Sequence, residues 1–217
     1  MGERQYLIDA LSSEEPWRIF RIIAEFVEGI DALSEVGNAV TIFGSARVQP
    51  NNPYYKKAEY LAHRLAEEGF SIITGGGPGI MEAGNRGAAE AGGKSVGMNI
   101  HLPFEQKPNP YANINIEYNY FFIRKVMFVK YAMAYVVLPG GFGTLDELFE
   151  ALTLIQTRRI KSFPVILMGS EFWQGIIDWL KSTVLREGNI SQDDLAIIEI
   201  IDDPEEVVKY IKKYVIL

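Results

Sequence analysis

The apolar positions of the chain change their period several times, and each change marks an element. From Trp17 to Val36, Ile19, Ile22, Ile23, Phe26, Val27, Ile30 and Leu33 recur at helical spacing, with Arg18, Arg21, Glu25 and Glu28 between them. This predicts an amphipathic helix that ends near Gly37. AVTIFGSAR then reads as a short β-branched run followed by a turn of small residues. In the next segment Asn52 and Pro53 supply a cap and a first-turn proline, Ala58, Leu61, Ala62 and Leu65 form a buried stripe, and Gly69 stops the helix.

Strand, turn and helix recur after that: FSIITGG with GPGIMEAGNRGAAEAG, KSVGMNI, INIEYNY with FFIRKVMFVKYA, AYVVLPGG with FGTLDELFEALTLIQ, and FPVILMG with EFWQGIIDWLKSTVL. Asp203, Pro204 and Glu206 open a last short helix. Strands alternating with helices predict right-handed crossovers and a mostly parallel sheet covered on both faces, a doubly wound α/β fold. One Rossmann-like domain over residues 1–217 is expected, with residues 1–37 as a helical extension. Ligands of such sheets bind outside the carboxyl ends of the strands.

Composition narrows the chemistry. The chain has 217 residues, 48% of them hydrophobic, and no long apolar run. Its first residues carry charges where a signal peptide needs an apolar core, so the cytoplasm is the expected compartment and no membrane is an expected partner. Cysteine is absent, which excludes thiol catalysis and cysteine-ligated metals. The two histidines, His63 and His101, are too few for a His-rich zinc site, so no metal is expected. A net charge of −7 argues against nucleic acid as a partner held through its phosphates.

Three turns after predicted strands carry the candidate chemistry: FGSAR with Gly44 and Ser45, TGGGPGIME with Gly75, Gly76, Gly77, Gly79 and Glu82, and PGGFGTLDE with Gly140, Gly141, Gly143, Thr144 and Glu147. Bare backbone lets several N–H groups point at one anion, and a helix that starts at once adds its positive dipole end, so phosphate is the natural guest. The dinucleotide fingerprint is not matched, because Ile80 stands where its third glycine belongs, and no Gly-Lys-Ser or Gly-Lys-Thr P-loop occurs. Tight packing of helix on strand would also demand such glycines.

Four features have two readings each. Thr144 to Glu147 fits a capping box, with Thr144 as N-cap and Glu147 reaching back to it. A helix whose buried stripe is Leu145, Leu148, Phe149, Leu152 and Ile155 would equally leave Glu147 beside the glycine turn, facing its guest. Arg124 and Lys125 either cover apolar surface with their stems or aim at a phosphate or at Glu147. Glu82 serves the helix dipole or faces the ligand. Residues 101–112, HLPFEQKPNPYA, are an ordinary surface loop, or a lid or pocket wall.

PGGFGTLDE resembles the PGGxGTxxE signature of the Lonely Guy (LOG) family, cytokinin-activating phosphoribohydrolases once labelled lysine decarboxylases. From Ala39 onwards the order of GSAR, GGGPGIMEAGNRGA, the Arg124-Lys125 pair and the signature is also similar to that family. The resemblance implies hydrolysis of the N-glycosidic bond of a nucleoside 5′-monophosphate, AMP or an N6-modified cytokinin nucleotide, to free base and ribose 5-phosphate. It places the catalytic arginine on Arg124, the catalytic glutamate on Glu147 and the phosphate turn on Gly140, Gly141, Gly143 and Thr144. No cofactor is implied; Lys125 and Lys130 are only nominal candidates for a pyridoxal site. A nucleotide-binding sensor or carrier on the same scaffold is the competing reading, and a structural protein with empty turns a third. The wide apolar stripe of the first helix predicts a homodimer or higher oligomer.

Overall fold

The computed structural model describes residues 15–102 and 107–215. The charged stretch before Glu15 and the centre of the proline-rich loop lie outside the described residues. In chain order the elements are α1 (Glu15–Leu33), β1 (Ala39–Phe43), α2 (Pro53–Glu67), β2 (Ser71–Thr74), α3 (Ile80–Glu90), β3 (Ser95–Ile100) and β4 (Ile114–Tyr118). They continue with α4 (Phe121–Tyr131), β5 (Ala132–Val137), α5 (Phe142–Gln156), β6 (Val165–Leu167), α6 (Ser170–Trp179), α7 (Gln192–Leu195), β7 (Ile198–Ile200) and α8 (Pro204–Tyr214). A π-helical stretch, Leu180–Leu185, prolongs α6. No helix among the described residues is long and apolar enough to cross a membrane.

The seven strands form one sheet in the order β4-β3-β2-β1-β5-β6-β7, and every pairing is parallel. This is the doubly wound α/β architecture that the alternation of periods predicts. Side chains alternate across the sheet, so each strand serves two cores. Phe43, Tyr135, Val137, Val165 and Leu167 face α4, α5 and α6, whereas Val40, Ile42, Ala134, Val136 and Ile166 face α2, α3 and α8. β7 is absent from the sequence expectation, because three residues at a sheet edge, two half-buried and one exposed, are too short a run to mark a strand.

Helix starts follow local chemistry where the side chains were legible. Asn52 accepts the Tyr54 N–H at 2.8 Å ahead of Pro53, and Asp203 accepts the N–H groups of Glu205 and Glu206 ahead of Pro204. The start of α4 is made differently. Its N-terminus has no cap from its own side chains; instead Glu25 of α1 accepts from the Asn119 N–H at 3.1 Å, from the Asn119 side-chain amide at 2.6 Å and from the Tyr120 N–H at 3.4 Å. In the helical pattern Glu25 belongs with the polar positions, yet it is 8% exposed. A carboxylate at that end satisfies unpaired donors and complements the helix dipole, so α1 is tied to the helix that carries Arg124.

A second buried polar network holds the turn after β2. Thr74 donates to the Asn85 side-chain oxygen at 2.6 Å, and the Asn85 amide reaches Ser95 and the Val96 carbonyl. From the proline-rich loop, Asn109 donates to the carbonyls of Gly76 and Gly77 and to Asn85, all within 3.1 Å. Each buried polar atom in such a set keeps its neighbour satisfied, which fixes the loop against the turn.

Glu25→Ala is expected to lower the unfolding free energy by about 2–4 kcal/mol, since it removes the buried carboxylate that three donors share, one of them the N–H of the buried Tyr120. The urea midpoint measures this; a loss below 1 kcal/mol, roughly the worth of one ordinary hydrogen bond, would mean that water replaces the cap.

Candidate active site

The strand order reverses between β1 and β5, and the turns that leave their carboxyl ends part in opposite directions there. Backbone bonds stitch those turns together: Leu138 N–H to the Phe43 carbonyl at 2.8 Å, Ser45 N–H to the Pro139 carbonyl at 3.0 Å, and Ile80 N–H to the Ser45 carbonyl at 3.0 Å. Above them lies a cleft of about 620 Å³, within the range of small-molecule sites. Gly44 and Ser45 line it from the first turn, Gly75 and Met81 from the second, and Gly141, Phe142, Gly143, Thr144 and Glu147 from the third. α4 contributes Arg124 together with Phe121 and Phe128.

The glycines of the third turn divide by cause. A Cβ on Gly140 would lie 2.6 Å from the Thr144 Cβ, so this glycine lets the turn pack on its own helix. Gly141 and Gly143 have nothing within 4 Å of the position a Cβ would take, and both line the cleft. Their bareness serves no packing contact; it keeps the backbone open to the cleft. No side chain caps the N-terminus of α5, so first-turn N–H groups remain for an anion.

That start corrects the capping-box reading of Thr144 to Glu147. α5 begins at Phe142 with Gly141 as its N-cap, so Thr144 lies inside the helix and Glu147 is a full turn further on. The buried face is Thr144, Glu147, Leu148, Ala151 and Ile155, with Phe149 36% exposed. Glu147 therefore belongs to the buried stripe itself. It is 5% exposed, and its Oε2 makes no hydrogen bond. Burial pushes its carboxyl up to about 7; Lys125 and Arg124 pull against this, while Glu150 and Asp146 add to it.

Arg124 projects from α4 into the same cleft. Its guanidinium stands over the rings of Phe121 and Phe128 at 5.3 and 5.6 Å, its Nη1 lies 3.5 Å from the Met98 carbonyl, and its Nε has no partner. Burial lowers its proton affinity and Glu147 and Asp146 oppose that shift, but a guanidinium stays charged throughout the ordinary pH range. A half-buried cation whose buried Nε is unused, a buried carboxylate with an unused oxygen and an uncapped helix start thus share one cavity.

Other candidates are placed elsewhere. Gly76, Gly77, Gly79, Gly140, Glu82 and Lys125 do not line the cleft. Gly76 and Gly79 have φ of 71° and 70° and shape the second turn. Glu82 accepts a hydrogen bond from the buried Tyr55 hydroxyl at 2.9 Å. Lys125 turns into the seam between α4 and α5, with its Nζ 2.6 Å from Glu150, 3.0 Å from Asp146 and 3.6 Å from Glu147. Of the proline-rich loop, Leu102 forms part of the cleft wall. Sequence reasoning passed over Arg47 and Phe142. Both stand inside the quoted turns, and Phe142, flanked by glycines, is 91% exposed at the cleft.

Because the folded carboxyl of Glu147 sits near 7 against 4.5 for the ordinary group, its ionisation costs stability as pH rises from about 4.5 through about 7. Glu147→Gln is expected to stabilise the fold by about 3 kcal/mol at pH 8 and hardly at all below pH ~4.5. Urea unfolding at both pH values measures it, and a gain that does not change with pH would contradict the buried carboxylate.

Comparison with known proteins bears on most of the chain. The model of a family described as "Possible lysine decarboxylase" matches residues 81–211, more than half of the sequence. The chain is 29% identical over 166 residues to "Cytokinin riboside 5′-monophosphate phosphoribohydrolase LOG" of Oryza sativa subsp. japonica, covering 75% of this chain and 67% of that protein. It is 28% identical over 195 residues to "Pyrimidine/purine nucleotide 5′-monophosphate nucleosidase" of Escherichia coli strain K12, covering 83% of this chain but only 41% of the relative. The solved molybdenum cofactor binding protein of Rippkaea orientalis shares the fold, with a TM-score of 0.61 and 24% identity over 81% of this chain and 96% of that one. With the signature turn, the Arg-Lys pair and the doubly wound sheet in place, the family match is decisive: the chain belongs to the LOG family, the one described as possible lysine decarboxylases.

Proposed function

We propose that the protein hydrolyses the N-glycosidic bond of a nucleoside 5′-monophosphate, AMP or an N6-modified adenine nucleotide, to free base and ribose 5-phosphate. The observation that carries this reading is the meeting of Arg124 and the buried Glu147 at the uncapped start of α5, where Gly141 and Gly143 leave the backbone open. The names of the rice and Escherichia coli relatives support the same reaction class.

In this reading the 5′-phosphate sits on the first-turn N–H groups of α5 with Thr144 beside it, and Gly44, Ser45 and Gly75 form the facing wall. Anchoring the phosphate fixes the ribose, so C1′ is presented without further loss of freedom. As the C1′–N bond breaks, its electron pair leaves with the base and positive charge builds on the sugar ring. The ionised Glu147 stabilises that charge and takes a proton from the water that attacks C1′, while the departing base takes up one proton from solvent, so that water is divided between ribose and base and Glu147 returns its proton to solvent. Arg124 lies across the cleft and donates to the departing base or the phosphate. Gly76, Gly77, Gly79, Gly140 and Glu82 act at one remove, by shaping the turns. The ionised form of Glu147 sets the acid limb of the reaction near pH 7.

The outward face of α1 supports a homodimer or higher oligomer. Phe20, Ile23, Val27 and Ile30 lie along it, between 44% and 65% exposed, on the side away from the face that packs on the core. Replacing Ile23 and Val27 together by Glu should reduce the mass seen by light scattering to that of one chain. A wild-type protein already monomeric at tens of micromolar would remove the oligomer.

Incubation with a panel of nucleoside 5′-monophosphates, including an isopentenyladenine one, followed by chromatography for free base, tests the reaction. Release is expected from at least one member and should fall by about 10²–10⁴-fold in Glu147→Gln and in Arg124→Ala. Nucleotide binding by Glu147→Gln should survive. Binding without release from the wild-type protein would make it a nucleotide sensor or carrier instead.

A further inference from the structure

The Arg-Lys pair of α4 parts in space, and its second member has no role in the reaction as derived so far. Arg124 enters the cleft, whereas Lys125, 16% exposed, lies against the acidic edge of α5. Asp146, Glu147 and Glu150 are spaced there so that one ammonium reaches all three. The contacts are unequal. Glu150 and Asp146 lie at hydrogen-bonding distance, 2.6 and 3.0 Å, while Glu147 Oε2 at 3.6 Å is too far for a hydrogen bond and close enough for a strong charge interaction.

We propose that Lys125 is a positioning residue for Glu147: anchored by Glu150 and Asp146, its ammonium fixes the place and the charge of the Glu147 carboxylate from behind and never touches the substrate. The inference rests on the hydrolase reading for its consequence in catalysis, but the contact itself is independent of that reading. The anchors explain the asymmetry. An ammonium free to collapse onto Glu147 would hydrogen-bond its carboxylate, whereas one held by two other carboxylates leaves the buried Oε2 without a hydrogen bond and acts on it through charge alone.

Among the described residues the surroundings contain no competing cation except Arg124. From α4 Glu147 is faced by Arg124 and Lys125, from its own helix by Asp146 and Glu150, and from β5 by the electrostatic neighbour Tyr135, whose buried hydroxyl makes no hydrogen bond. Three carboxylates share two cations there, and with Lys125 lost only Arg124 would oppose them, driving Glu147 towards the protonated form. Lys125 itself is desolvated, yet Glu150, Glu147 and Asp146 outweigh burial and hold it above its ordinary value, so it stays charged while Glu147 titrates.

The test compares Lys125→Met, Lys125→Arg and Glu150→Gln with the wild type, reading the Glu147 carboxyl by carbon-13 NMR of glutamate-labelled protein, with Glu147→Gln to assign the signal. Alongside it, kcat/KM against pH is measured on whichever monophosphate the wild type cleaves. Lys125→Met should raise the carboxyl inflection by about one pH unit or more, lower kcat at pH 7 about fivefold through the smaller ionised fraction, and leave KM within about twofold because no substrate contact is lost. Lys125→Arg should restore most of the effect. Glu150→Gln, which frees the ammonium towards Glu147, should shift the inflection downward and tests the same contact if Lys125→Met does not fold. An inflection unmoved in these variants overturns the proposal, as does a KM raised tenfold or more with the inflection in place, which would make Lys125 a substrate ligand. Absence of base release by the wild type would sink the hydrolase reading alone, because the NMR titration still decides the Lys125–Glu147 contact.

Discussion

The site depends on a carboxylate held almost entirely out of water. Taking the charge of Glu147 into the seam between α4 and α5 is unfavourable by itself, and the fold offsets this with two cations from a single helix, Arg124 on the cleft side and Lys125 behind. That arrangement requires α4 and α5 to meet at one depth over the end of β5. Both helices start without a side-chain cap of their own, and each leaves its first N–H groups to something else. For α4 the partner is Glu25 of α1; for α5 it is the open cleft. The difference separates a helix end satisfied by the protein from one left open.

Reversal of strand order between β1 and β5 then determines what else reaches the cavity. Only turns at that point can approach from both sides, and the backbone bonds among Phe43, Ser45, Pro139 and Ile80 lock them in register. Around this fixed frame the glycines have separate causes. Gly140 is required by Thr144, and the left-handed Gly76 and Gly79 are required by the second turn, whereas Gly141 and Gly143 answer to no protein atom. Glycine count in a turn therefore says little about binding until the packing reason for each has been removed.

Much of the architecture could be read directly from periodicity. The helical stripes of α1 and α2, the β-branched runs of β1 and β5 and the caps at Asn52 and Asp203 are local, and local side-chain chemistry decides them. The motifs that bring Arg124, Glu147 and the glycine turn to the cleft were legible because each is contiguous. What was misread depended on distance. Thr144 and Glu147 satisfy a capping pattern on paper, but packing of the turn starts the helix at Phe142 and moves Glu147 into the core face. Glu25 and Asn109 look like ordinary polar positions because their partners are 94 and 33 residues away.

By itself the sequence determined the alternation of strand and helix, the parallel doubly wound sheet and the three turns that end on one edge of it, because hydrophobic period and turn chemistry act over a few residues. Only the tertiary structure decided which groups share the cleft. Adjacent residues on α4 point about 100° apart, so Arg124 faces the cavity while Lys125 faces the carboxylates, and no reading of the pair along the chain assigns those directions. Desolvation likewise exists only once helices close over a side chain, and it is burial, with Lys125 and Arg124 opposing it, that brings Glu147 near 7.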